Sequence, residues 1–132
     1  MLYLDSNVFI YAALNMEEIG ERARATLRKV QQGEEQAFSS ALTFDELVWA
    51  IKKYRTVKDA INAGEAFLNF PNLKLAHVNG DLLASALNII KKYGLDPRDS
   101  IHAATAIQEK AEAIVSTDAH FDRMKEIHRK PL

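Results

Sequence analysis

The sequence contains no cysteine, so disulfides, thiolate zinc sites and cysteine nucleophiles are excluded. It also lacks any long apolar run. The longest near the start, Val8 to Leu14, is about a third of the roughly 20 residues that a membrane helix needs. Net charge is nearly absent: 17 Lys and Arg stand against 18 Asp and Glu, a formal −1. That balance argues against a protein that grips nucleic acid through overall charge and counterion release. A polyanion must instead be met by local patches such as Lys52-Lys53-Tyr54-Arg55, the group Arg22, Arg24, Arg28 and Lys29, or the tail from Arg123 to Lys130. Each of these also reads as an ordinary solvated helix face. No basic stretch precedes Asp5, so no secretory leader is expected and the expected location is cytoplasmic. Repeats, low-complexity tracts and linkers are missing too, which leaves residues 1–132 to be read as one domain.

What is present is a 48% hydrophobic chain in which short β-prone segments alternate with helical patterns. Leu2-Tyr3-Leu4 reads as a buried strand that ends on Asp5, and Ser6 or Asn7 caps a short helix. Glu17 to Gln32 is helical, with Ile19, Ala23, Leu27 and Val30 on one face and Gly33 as its stop. Gln36 to Leu42 reads as a second strand. Thr43 to Glu46 has capping-box spacing and predicts a helix start, with Phe44, Leu47, Val48 and Ile51 as the apolar stripe. A further helix runs from about Thr56 to Phe70. Leu73 to Val78 is a third strand, and Asp81 to Tyr93 a helix closed by Gly94.

Asp96 and Pro97 supply a cap and a first-turn proline for a helix reaching about Ala111. Its small and apolar side chains all round predict burial. Ala113 to Ser116 is a fourth strand, and Thr117-Asp118 opens a last helix near Ala119 to Lys125. His128 to Leu132 is too short and too polar to assign, with Arg129-Lys130-Pro131-Leu132 making a poor edge strand. Strands alternating with helices predict right-handed crossovers and an α/β three-layer sandwich around a central parallel sheet.

Four acids fall where a strand meets a helix or where a helix starts: Asp5, Glu46, Asp99 and Asp118. Each has a plain structural reading. Asp5 caps a helix, Glu46 is a solvated first-turn glutamate, Asp99 sits in the first turn after Asp96, and Asp118 caps the last helix. In a parallel sheet, however, these points share one edge, where ligands bind. Carboxylates crowded there repel and stay partly protonated unless a cation joins them, and a hard divalent ion such as Mg²⁺ or Mn²⁺ suits oxygen ligands.

Leu4-Asp5-Ser6-Asn7-Val8-Phe9-Ile10, Glu46, Asp99-Ser100-Ile101-His102-Ala103-Ala104-Thr105-Ala106 and Ser116-Thr117-Asp118-Ala119-His120-Phe121-Asp122 resemble the acidic motifs of PIN-domain nucleases. In order, spacing and length they most resemble the VapC-type toxin ribonucleases. The resemblance covers Leu2 to about Asp122. It implies a PIN fold, metal-dependent endoribonuclease activity with Mg²⁺ or Mn²⁺, and a dimer held inactive by a small antitoxin protein. It also implies that Asp5, Glu46, Asp99 and Asp118 are the metal-binding and catalytic acids, with Asn7 and Thr117 as polar neighbours and Asp122 as a further acid of the last motif. Products with a 5′-phosphate and a 3′-hydroxyl are expected on the same basis.

Two other readings stay open: a non-catalytic RNA- or protein-binding PIN module, and a phosphotransferase with Asp5 as nucleophile. The second is disfavoured because Asn7 stands where such enzymes carry another aspartate. His102 is expected to be satisfied within the core, with a hydrogen bond to Asp99 as the alternative. His120 is near enough in sequence to approach the site. Tyr11, Trp49 and Tyr54 read as core aromatics or as surfaces for unpaired bases.

Overall fold

The structure, a computed structural model, describes residues 1–132. Strands β1 (Leu2–Leu4), β2 (Ala37–Ser40), β3 (Leu73–Ala76), β4 (Ile114–Val115) and β5 (Arg129–Lys130) form one sheet in the order β3-β2-β1-β4-β5. Every pairing is parallel. Helices α1 (Ser6–Leu14), α2 (Glu18–Gln31), α3 (Ala41–Tyr54), α4 (Val57–Leu68), α5 (Gly80–Tyr93) and α6 (Pro97–Gln108) flank it, with a 3₁₀ helix at Ala119–Arg123. No helix is long and apolar enough to cross a membrane.

Strand side chains alternate between faces, and the alternation builds two cores. Leu2, Leu4, Ala37 and Val115 point to one side and pack with Val8 and Phe9 of α1, Val30 of α2, Leu47 and Ile51 of α3 and Phe67 of α4. Tyr3, Phe38 and Ile114 point to the other and pack with Ala103 and Ala106 of α6 and with Phe121. The three layers are therefore α1–α4, the sheet, and α5–α6, as the alternating pattern predicts. Small residues of α6 let it lie close to the sheet, and Ala103, Ala104, Thr105 and Ala106 are all buried.

From β1 the chain moves outward to β2 and β3, then returns to β4 on the other side of β1. The switch point of the sheet thus lies between the carboxyl ends of β1 and β4, where an open α/β sheet leaves a crevice.

Local differences from the sequence expectations have identifiable causes. Helix α3 begins three residues earlier than the capping-box spacing suggests, because Ser40 is the cap and its Oγ accepts from Leu42 N at 3.0 Å. Thr43 is turned inward, its Oγ1 2.8 Å from Ser39 Oγ. Helix α6 stops at Gln108 rather than Ala111, where Lys110 takes a positive φ of 57°. The last helix is a short 3₁₀ turn. The C-terminal segment left unassigned is a strand: Ile114 N donates to His128 O and Ser116 N to Lys130 O. Arg129 fastens it, pairing with Asp122 at 2.9 Å and donating to Ser116 O at 3.1 Å.

Candidate active site

β1 delivers Asp5 to the switch point, where it performs the capping role and more. Its Oδ1 accepts from Ser6 N at 2.8 Å as the N-cap of α1, and its Oδ2 accepts from Ser116 Oγ at 2.6 Å. The residue is only 4% exposed. Burial pushes its carboxyl above the ordinary range, although nearby His102, Ser116 and the Ser6 N–H act in the opposite sense. With both oxygens engaged and little exposure, Asp5 is badly placed for the nucleophilic attack on phosphorus that the phosphotransferase reading requires.

Ser116, at the end of β4, organises this floor. Its hydroxyl donates to Asp5 and accepts from Asn7 Nδ2 at 3.2 Å and from Asp118 N at 2.9 Å. Asn7 is thereby held beside Asp5, and its Oδ1 is buried with no hydrogen-bond partner. Thr117 lies between the anchored Ser116 and Asp118, half-buried, with its side chain in no hydrogen bond of this network.

Above the floor is a cavity of about 570 Å³ lined by Glu46, Asp96, Arg98, Asp99, Asp118 and His120. Asp99 reaches it from the first turn of α6, which Pro97 starts. Asp118 caps the 3₁₀ helix, its Oδ1 accepting from His120 N at 2.9 Å. Burial, and then the negative charge of Asp118 beside it, push the Asp99 carboxyl up from 3.8 to about 6. His120 Nδ1 is 3.2 Å from Asp118 Oδ1 and 3.7 Å from Asp99 Oδ2.

Glu46 sits in the second turn of α3, not in a first-turn capping box, and faces the cavity. Its carboxylate accepts from His102 Nε2. His102 is 1% exposed and does not bond Asp99; it joins Tyr3 Oη at 2.5 Å through Nδ1 and lies 3.5 Å from Asp5 Oδ1 through Nε2. Burial pushes its imidazole down, but the Glu46 bond and the charges of Asp5, Glu46 and Asp99 outweigh that and leave it above the usual value. Burial, followed by the charge of Asp5, holds the Tyr3 phenol well above its ordinary value, so it stays a hydrogen donor.

Glu46, Asp99 and Asp118 therefore meet in the cavity, while Asp5 lies beneath it and reaches them through Ser116 and His102. Asp122 is not part of the group. It is about half exposed and turned to Arg129, whose guanidinium holds its carboxyl below the ordinary range. Sequence reasoning missed Ser116, although it stands in a quoted motif directly after a buried strand. It places His102 in the core, where it is buried, with Asp99 as the alternative partner; the carboxylate it bonds is Glu46, on another helix.

Ligand atoms of Asp99, Asp118 and His120 lie within 4.8 Å of one another. Carboxylate oxygens aimed into one polar cavity, one of them with its proton affinity raised by burial and then by its neighbour's charge, form a donor set that fits a hard divalent ion. Glu46 stands across the same cavity with its position fixed by His102.

Comparison with known proteins agrees with this geometry. The PIN domain family model matches residues 2–127. Ribonuclease VapC2 of Methanocaldococcus jannaschii is 24% identical over 135 residues, covering 93% of this chain and 88% of that protein. Among solved structures, VapBC2 from Rickettsia felis, bound to a DNA fragment from its promoter, is similar with a TM-score of 0.76 at 18% identity over 99% of this chain and 98% of that one. Mycobacterium tuberculosis VapC20, described as a sarcin-ricin loop cleaving toxin, gives 0.74 at 12% identity over 90% and 91%. With its parallel sheet, its acids at the switch point and a family match over nearly its whole length, the chain belongs to the PIN domain family.

Proposed function

We propose that this protein is a metal-dependent endoribonuclease, acting in the cytoplasm as the toxin of a toxin–antitoxin pair. The observation that carries the reading is the convergence of Glu46, Asp99 and Asp118 on one cavity, above a buried Asp5. Similarity to a VapC ribonuclease and to VapBC assemblies supports the substrate class and the antitoxin partner.

Asp99 and Asp118, with His120 beside them, would hold Mg²⁺ or Mn²⁺, and Glu46 would face the ion across the cavity. Such an ion supplies Lewis acidity toward the scissile phosphate and toward water. The chain's own groups do the rest. Ser116 fixes Asp5 and the Asp118 backbone together, so the floor cannot relax when charge enters. His102 holds the Glu46 carboxylate at the cavity wall. Arg98, exposed at the rim, offers a guanidinium to the phosphate backbone.

An apolar groove of about 220 Å³ between α1, α2 and α4, lined by Phe9, Ala12, Leu27, Ala63, Phe67 and Phe70, suits apolar side chains of the antitoxin. The exposed Leu83 and Leu87 of α5, one turn apart, support a homodimer.

Cleavage of labelled single-stranded RNA with Mn²⁺, Mg²⁺ or excess chelator tests the reading, comparing wild type with Asp5→Ala and Asp99→Ala purified identically. The expected result is metal-dependent cutting that leaves 5′-phosphate ends, reduced about a hundredfold or more in both variants. Equal cutting by all three preparations means a contaminating ribonuclease and overturns the assignment. Absence of cutting beside retained RNA binding favours the non-catalytic module.

A further inference from the structure

The one tryptophan of the chain is not a core residue. Trp49 is 59% exposed on α3, off the apolar stripe of Phe44, Leu47, Val48 and Ile51 that turns toward the core. Glu46, Trp49 and Lys53 are spaced i, i+3 and i+7 and so share one face of the helix. That face leads from the acid cavity outward.

Trp49 lines a cleft of about 140 Å³ with Ile10, Asp45, Glu46, Ala50 and Arg98. Glu46 and Arg98 also line the acid cavity, so the two spaces are adjacent and share a wall. Arg98 has no ion-pair partner despite the acids around it. Lys53 Nζ lies 5.0 Å from the Trp49 ring centroid and 5.3 Å from that of Tyr54, extending positive charge along the same face. The remaining charged group is Asp45, whose carboxylate repels phosphate but accepts from the amino group of a base edge.

We propose that Trp49, Arg98 and Asp45 form a subsite for one unpaired nucleobase of the RNA strand whose phosphate enters the acid cavity. This rests on the nuclease reading above and names where its substrate is gripped. The base stacks on the Trp49 ring, Asp45 meets its polar edge, and Arg98 takes the phosphate that joins it to the scissile one. Stacking on an exposed ring needs a base free of its helix, so the subsite selects single strands over duplex. A chain of net charge −1 has no general attraction for RNA, which makes such a local grip necessary.

Because Trp49 is the only tryptophan, its emission reports on the subsite alone. The titration uses Asp99→Asn with Mg²⁺, to suppress turnover, and adds a single-stranded RNA oligonucleotide or the same sequence as a blunt duplex. Saturable quenching by the single strand, with the duplex at least about tenfold weaker, is the expected result. In anisotropy with labelled RNA, adding Trp49→Ala to that background weakens single-strand binding by about fivefold to a hundredfold. In the active protein Trp49→Ala and Arg98→Ala raise KM with little change in kcat.

Two outcomes overturn the proposal. One is RNA that is cut while Trp49 emission and the Trp49→Ala KM stay unchanged, which leaves the nuclease reading intact. The other is emission that depends on protein concentration and not on RNA, which assigns the face to a second copy of the chain. Quenching without any cleavage by wild type supports the subsite and removes the nuclease reading instead.

Discussion

His102 Nε2 donates to the Glu46 carboxylate, so one buried hydrogen bond ties α6 to α3 at the wall of the acid cavity. The direction of that bond is fixed from behind. With the ring neutral, Tyr3 from the centre of the sheet donates its hydroxyl hydrogen bond to Nδ1, which puts the ring hydrogen on Nε2; with the ring protonated, Nδ1 donates to Tyr3 and Nε2 carries a hydrogen as well. Glu46 therefore accepts in either state.

Replacing His102 separates positioning from support. His102→Ala is expected to reduce Mn²⁺ affinity about tenfold to a hundredfold, the cost usual for losing a partner of a metal-site carboxylate. It also orphans the buried Tyr3 hydroxyl, at about 1–3 kcal/mol of stability. His102→Gln restores an amide donor toward Glu46, while its carbonyl oxygen, at the end of a flexible chain, is not held at the Nδ1 position that Tyr3 meets. Calorimetric Mn²⁺ titration should then show affinity recovered in the glutamine variant while its melting temperature stays low. Equal loss of affinity in both variants would contradict a positioning role.

The metal-free protein should be more stable in mild acid than at neutral pH. The folded-state carboxyl of Asp99 is raised from 3.8 to about 6, so folding favours its protonated form. That contribution is fully present below 3.8 and is lost as pH rises through about 6. Asp5 and His102 are also raised and act in the same sense. In excess chelator, melting at about pH 5 should therefore exceed melting at about pH 7.5, and Asp99→Asn should flatten the difference. Millimolar Mg²⁺ or Mn²⁺ should raise the melting temperature at the higher pH by binding only the folded, ionised cluster.

Four of the five strands are legible in the sequence as short apolar runs, and Asp5 and Asp118 are announced locally by a strand before them and a helix start after them. Glu46 and Asp99 carry only helix-start spacing, which for Glu46 is displaced into the second turn of α3. What is not legible is decided between elements. Ser39, Ser40 and Thr43 all have capping chemistry, and only tertiary contacts choose among them. Ser39 Oγ donates to Leu4 O at 2.7 Å and draws Thr43 inward, leaving Ser40 to cap. The spacing of His102 after Asp99 suggests a partner on the same helix, but the partner comes from 56 residues away. β5 has no apolar signal at all, since it is held by backbone bonds to β4 and by Arg129 rather than by burial.

Asp122 supplies a negative control. Its pair with Arg129 is exposed to solvent, where screening leaves an ion pair little net effect. Asp122→Asn should therefore leave RNA cleavage within about threefold of wild type and the melting temperature little changed. A loss comparable with that of Asp99→Ala in the same cleavage assay would return Asp122 to the site.

Gly20 tests the packing that places α1. A Cβ at this position would lie 2.0 Å from Asn15 O, a backbone atom that cannot swing aside. Helix propensity alone favours Gly20→Ala by up to about 1 kcal/mol. The clash is larger, because the same Asn15 carbonyl also accepts from Arg24 and its side chain from the Gly20 N–H. Chemical denaturation should show Gly20→Ala destabilised by about 1–3 kcal/mol, the usual cost of overpacking. A stabilised variant would mean that the α1–α2 turn is free to move.

Ser116→Ala should be among the most damaging single-atom deletions in the molecule. The hydroxyl makes three hydrogen bonds, to Asp5, Asn7 and Asp118, within the buried floor of the site. Its removal leaves the Asp5 Oδ2 without its donor and the Asn7 amide with neither end engaged, since Asn7 Oδ1 already has no partner. An unsatisfied buried group costs about 1–3 kcal/mol, and more when it is charged, so urea denaturation should show a loss at or above that range. Burial then pushes the Asp5 carboxyl further upward, because Ser116 is one of the groups that lowers it. Activity in the RNA cleavage assay should fall with it and recover partly in Ser116→Thr, which keeps the hydroxyl. Loss of stability without loss of cleavage would separate the floor from the chemistry above it.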